Sequence, residues 1–215
     1  MHILERIISE GFAPDQYIRE FTQKNQIVIH HTVSGKGVGG DLNWWLNDPK
    51  RIATALLIDR DGVPYQTFST NYWAYHLGVK RRSDLDRYSI GIELDSWGPL
   101  LQTKNGKFYS PKRTKNGLVP NTAMASVDPA DVIEIDFRGF HFFEKYTQAQ
   151  LDTLKELLYY LCNKWGISAA YQADMWDVSD RALAGQNGIF THVSYRKDKT
   201  DCYPYPGLID TLKSI

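Results

Sequence analysis

The chain has 215 residues, 42% of them hydrophobic and 23% charged, with thirteen tyrosines and six tryptophans. That is the composition of a folded globular protein with room for one generous domain, and it excludes a disordered chain. Lysine plus arginine equals aspartate plus glutamate at 25 each, so no net basic field exists to hold a polyanion and nucleic acid is not an expected partner.

The opening MHILERIISEGFAPDQ carries charge within its first six residues and has no long apolar core, so no signal peptide is expected. No later run approaches the roughly 18 apolar residues of a membrane span. Residues 1–26 are expected to form a leading arm, with one or two short helices interrupted by Gly11 and Pro14. Ile27 to Thr32 (IVIHHT) is the first predicted strand, apolar and β-branched. A glycine loop, SGKGVGGD, and a short helix over LNWWLND follow, the helix stopped before Pro49. Asp61-Gly62 then joins ATALLIDR to PYQTFS in a predicted hairpin, because a tight turn needs positive φ.

Tyr88 to Leu94 (YSIGIEL) predicts another strand, with a carboxylate, Glu93, near its end. Residues 96–136 show weak patterning and are expected to be an insertion with one hairpin; its basic stretch Lys104 to Lys115 reads as solvated loop. The clearest helix spans Thr147 to Trp165, where Leu151, Leu154, Leu157, Leu158, Leu161 and Cys162 share one face, Thr147 caps and Gly166 follows. Gly188 to His192 (GIFTH) predicts a brief last strand ending again in histidine. Strands alternating with helices, with a hairpin among them, predict an α/β fold: a single domain over residues 1–215 with a central mixed sheet flanked by helices.

Three features carry chemistry. GKGVGG, Gly35 to Gly40, satisfies the G-x-G-x-x-G spacing of a dinucleotide-binding oxidoreductase, with Asp59 about twenty residues on. The hairpin stands where that fold needs a parallel unit, so a flexible loop beside a site is the preferred reading. Secondly, His30 and His192 both end predicted strands, and His192 is followed by Lys199, Asp201 and Cys202. Catalytic zinc takes three protein ligands from nitrogen, carboxylate oxygen or thiolate, which His30, His192 and either Asp201 or Cys202 could supply. Singly, each histidine reads more readily as a satisfied structural residue. Thirdly, Glu93 on an apolar strand is either half of a salt bridge or a general base with raised proton affinity.

Taken in order, IVIHHT, ALLIDRDGVPYQ, WAYHLG, SIGIEL, ALAGQNGIFTH and KTD resemble the zinc-dependent N-acetylmuramoyl-L-alanine amidases of the type-2 family, which includes bacteriophage lysins and is related to peptidoglycan recognition proteins. The resemblance covers most of residues 27–206 and leaves the insertion uncovered. It implies a zinc amidohydrolase acting on peptidoglycan or muropeptides, with His30, His192 and Asp201 as metal ligands, Cys202 as the rival third ligand, Glu93 as catalytic carboxylate and Lys199 beside the carbonyl oxygen. His76 falls where many members place a histidine near substrate, and Trp45 and Trp73 flank the expected groove; His31, opposite His30 by strand alternation, is expected to be structural or to support a ligand from behind. The tail departs from the family's KTDPGP at Cys202, and no tyrosine stands near Thr54, which leaves the base role to Glu93. Synthesis in a bacterial cytoplasm and a monomeric state are expected. The competing expectation is a binding module of the same fold without catalysis.

Overall fold

The structure, a computed structural model, describes residues 3–9 and 11–215. Six strands form the central sheet. They are β1 (Ile8–Ser9), β2 (Gln26–His31), β3 (Leu56–Ile58), β4 (Pro64–Gln66), β5 (Ser89–Leu94) and, last in the chain, the strand Gly188–Thr191. Their order is β1, β4, β3, β5, β2 and the last strand; all neighbouring pairs are parallel except the β3/β4 hairpin. The mixed α/β architecture expected from the sequence is therefore present.

β2 is buried at every residue because it lies between two parallel neighbours with material on both faces. Side-chain alternation divides those faces. Ile27 and Ile29 join the larger core, while Val28 joins a smaller one with Leu77, Leu85, Ala182, Phe190 and Tyr195. The larger core lies under the helix Gln148–Trp165, whose Leu151, Leu154, Leu157, Leu158 and Leu161 are all buried. Truncating one of these leucines to alanine costs about 2–5 kcal/mol through lost transfer energy and the cavity left behind. Thr147 and Gln150 close a reciprocal capping box at the helix start, and Gly166 ends it in the left-handed conformation.

Polar contacts fix this helix against the carboxyl ends of the strands. Gln150 Nε2 donates to Asp95 O at 2.9 Å, and Thr153 Oγ1 donates to Gly62 O at 2.7 Å. At Gly62, in the β3/β4 turn with φ of +80°, an added Cβ would lie 2.6 Å from Ala149 O, so turn and helix meet only because the side chain is absent.

The insertion is more ordered than the sequence pattern suggested. It begins with β6 (Pro99–Gln102), β7 (Phe108–Tyr109), β8 (Pro111–Thr114) and β9 (Gly117–Pro120), and leads into β10 (Val132–Phe137) and β11 (Phe140–Glu144). The strand Gly188–Thr191 is then β12. A second sheet runs β10, β11, β6, β7, and β8 pairs with β9 in a separate two-stranded ribbon. Short strands interrupted by turn residues have too few alternating positions to declare themselves, and their core is small: Leu100, Phe108 and Val127. The leading arm also does more than expected, since β1 adds an edge strand to β4 and Ile18 bridges to Trp73. Residues 1, 2 and 10 of that arm lie outside the described residues. Among the described residues no helix is long and apolar enough to cross a membrane.

Candidate active site

The parallel register builds the site. His30 lies level with Glu93 across β2 and β5, and Ile29 lies level with Thr191 across β2 and β12, so His192 follows at the height of His30. Three adjacent strand ends thus deliver two imidazoles and a carboxylate to one place, at the carboxyl edge where α/β sheets bind ligands. Val193 N donates to Asp201 O at 3.2 Å, which folds the segment after β12 back so that Asp201 joins them.

His30 Nδ1 is 3.0 Å from His192 Nδ1 and 3.1 Å from Asp201 Oδ2, and His192 Nδ1 is 2.8 Å from the same oxygen. All three residues are buried. The far nitrogen of each ring is engaged elsewhere. His192 Nε2 lies 2.9 Å from Leu77 O, and a carbonyl only accepts, so Nε2 carries a proton and Nδ1 is the nitrogen left to act as a ligand. His30 Nε2 lies 2.9 Å from His76 Nδ1, and His76 Nε2 lies 2.8 Å from Ser89 Oγ, a chain that directs the His30 lone pair the same way.

Burial pushes His30 down to about 4, with His192 adding to the effect, so its ring is neutral at pH 7. Burial works against the Asp201 carboxylate, and with a proton on the facing nitrogens the imidazoles of His192 and His30 hold its pKa well below the ordinary range; without that proton a different cation is needed. Two lone pairs and an anionic oxygen facing one another out of water repel unless a cation lies among them. Among the described residues this is the group able to hold a metal ion, and its two nitrogens and one oxygen suit zinc with a position left open.

Cys202 is not part of that group. It is fully buried, beside the Tyr146 hydroxyl, and burial raises its pKa well above the ordinary thiol value. His31, on the opposite face from His30, hydrogen-bonds Tyr146 through Nδ1 at 2.8 Å.

A cleft of about 720 Å³ opens over the cluster, lined by His76, Trp45, Glu93, His192, Lys199 and Asp201 among others. A second concavity of about 670 Å³, beside Tyr159 and Ile215, contains no comparable group of ligating side chains among the described residues. Glu93 Oε2 is buried without a hydrogen-bond partner, and burial, followed by the nearby Asp201 and Asp41 carboxylates, raises its pKa well above the ordinary value. Gly91, two residues before it on the same face, makes room for His76: a Cβ there would come within 3.0 Å of His76 Nδ1 and 2.7 Å of Thr54 Cγ2. Trp73 does not line the cleft; its indole donates to Glu20 at 3.0 Å.

The glycine loop is held by charge. Arg60 bridges Asp95 at 2.9 Å and Glu144 at 2.7 Å, while Gly37 N donates to Asp95 at 2.9 Å. β2 and β3 run parallel but β5 lies between them, so the β-α-β unit of neighbouring strands that a dinucleotide fold needs is absent there, and Asp59 Oδ1 is taken up by the turn amides of Asp61 and Val63. The G-x-G-x-x-G match is accordingly a wall of the cleft.

Sequence reasoning missed several residues at this site. Asp41, at the start of the helix Gly39–Asn47, is buried at the cleft, and Trp97 and Met124 reach it from the insertion. Arg138, in the β10/β11 turn, donates to the carbonyls of Val193, Arg196 and Lys199 and so holds the loop that carries Lys199. These depend on contacts between distant segments, for which one sequence contains no local signal.

The N-acetylmuramoyl-L-alanine amidase family model matches residues 20–207. The chain belongs to this amidase family. Among solved structures, that of PlyL is similar over 96% of both chains with TM-score 0.56 at 12% identity. A mutant endolysin from Bacillus subtilis is similar over 97% of this chain and 96% of its own, with TM-score 0.51 at 16% identity. An AmpD derivative covers 96% and 94%, with TM-score 0.51 at 16% identity. At these identities the likeness establishes the shared fold. No curated protein matches the sequence.

Proposed function

We propose that this amidase hydrolyses the amide joining N-acetylmuramic acid to L-alanine in peptidoglycan, as a cell-wall lytic enzyme, with zinc held by His30, His192 and Asp201. The observation that carries the reading is the convergence of those three donors beside a carboxylate with an unpartnered buried oxygen. When bound, zinc supplies Lewis acidity, polarising a carbonyl and lowering the pKa of water.

Glu93 accepts the proton of the attacking water at its carboxylate and then delivers it to the departing alanine nitrogen. Lys199 faces the cleft and offsets negative charge as it develops on the carbonyl oxygen, an effect worth roughly 3 kcal/mol per donor in other acyl-transfer sites. Leu77 O and His76 fix the two imidazoles through their far nitrogens, so the donor atoms need not reorganise. Trp45 contributes apolar wall beside the cluster.

Mass spectrometry of digested peptidoglycan tests the reaction. Free lactyl groups on muramic acid together with new L-alanine amines are expected, and about one zinc per purified chain. Wall binding with no bond cleaved by zinc-loaded protein would replace this reading with a recognition module.

A further inference from the structure

The insertion gives the cleft two wall residues and has an exposed ribbon between them in sequence. Trp97 packs its indole on Gly35, and Met124 follows β9 in a turn closed by Met124 N donating to Asn121 O at 3.0 Å; both side chains line the cleft. Between them rises the β8/β9 ribbon, with residues 112–119 all exposed. A two-stranded ribbon in water on both faces adds little to folding stability by itself.

Its charge is one-sided. From Thr103 to Val127 the sequence contains Lys104, Lys107, Lys112, Arg113 and Lys115 and no acidic residue, in a chain whose total charge is zero. All five cations are exposed, and among the described residues none makes an ion pair. Exposed charges act over about one Debye length, roughly 8–10 Å at ordinary salt, so the local cluster decides what this surface attracts. Lys112 pairs with Val119 and Arg113 with Leu118, which puts a cation and an apolar side chain on each face. Such a surface suits an acid-bearing polymer with aliphatic spacers better than a small inorganic anion.

We infer that the β8/β9 ribbon, with Lys104 and Lys107 in the β6/β7 turn that precedes it, is an accessory wall-binding arm that engages stem-peptide carboxylates of the peptidoglycan polymer near the amide being cut. The inference rests on the amidase reading and names the part of the substrate that the cleft itself does not hold. The cations attract the carboxylates, Leu118 and Val119 meet the aliphatic parts of the stem, and Met124 links the arm to the cleft mouth.

The test is the triple variant Lys112→Gln, Arg113→Gln, Lys115→Gln in the zinc-loaded full chain, compared with wild type on insoluble peptidoglycan and on a soluble muramoyl peptide with amidated carboxyls. Wild-type turnover on the soluble fragment with at least tenfold slower release from the insoluble wall is expected. Adsorption of Glu93→Gln protein to the wall should also fall when salt is raised or wall carboxyls are amidated, and persist after phosphate-bearing polymers are stripped. Equal activity of variant and wild type on the wall, or adsorption that follows the phosphate polymers, overturns the inference. Should wild type cut neither substrate, the amidase reading fails; adsorption of the Glu93→Gln protein with and without the triple substitution then still decides the arm, equal binding overturning it.

Discussion

His30 Nε2 lies 2.9 Å from His76 Nδ1, and His76 in turn reaches Ser89 Oγ at 2.8 Å. The histidine expected near substrate therefore orients His30, a proposed zinc ligand, as well as lining the cleft. His76→Ala should weaken zinc binding about 10- to 100-fold, the usual cost of losing a partner behind a metal-bound imidazole. Competition with a chromogenic chelator would measure it, and unchanged affinity would assign His76 to substrate alone.

Substitution of neighbouring residues tests the proposed third ligand. Asp201→Ala and His192→Ala should each release zinc and abolish turnover, whereas Cys202→Ser should retain both. Metal analysis after dialysis checks this; loss of zinc from the Cys202→Ser protein would reverse the assignment.

Glu93→Gln keeps the shape of the side chain but cannot accept a proton. Turnover should fall about 10²- to 10⁴-fold while zinc content stays near one per chain. A variant that still cuts at the wild-type rate would transfer the base role to another group.

Arg138 acts on Lys199 at one remove, by tying the carbonyls of Val193, Arg196 and Lys199 to one guanidinium. Arg138→Ala should leave zinc content intact, reduce kcat, and speed amide hydrogen exchange over residues 193–199. Unaltered exchange there would show that the loop is held by other contacts.

Asp41 tests the electrostatics through stability. Burial raises its pKa to about 6, so its contribution to stability is fully present below the unfolded value near ~3.9 and is lost as pH rises through about 6. Asp41→Asn should consequently stabilise the fold at pH 8 by on the order of 2–3 kcal/mol and by far less at pH 4. Urea unfolding at the two pH values reads the difference, and equal effects at both would refute the shift.

Elements with many in-phase positions were legible from sequence: the helix under the sheet, the hairpin at Asp61-Gly62, and the strands ending in His30 and Glu93. Most of the insertion was not, because β6 to β9 run only two to four residues and present too few alternations to distinguish from loop. The candidate site was legible as chemistry, two histidines and acids at or just after strand ends, and the family resemblance supplied the roles proposed for them. Trp73 shows the limit: its neighbours in sequence suggested the groove, while its indole turned to Glu20.

What the sequence determined by itself is the set of donors and the strands that bear them, since periodicity and turn chemistry act locally. Only the tertiary structure decided which donors meet. His30 and His192 are 162 positions apart, and parallel register between β2 and β12 brings them together. The same folding turns the Cys202 thiol into the core and the Asp201 carboxylate toward the cluster, a choice made by packing and by the cost of burying unpaired charge.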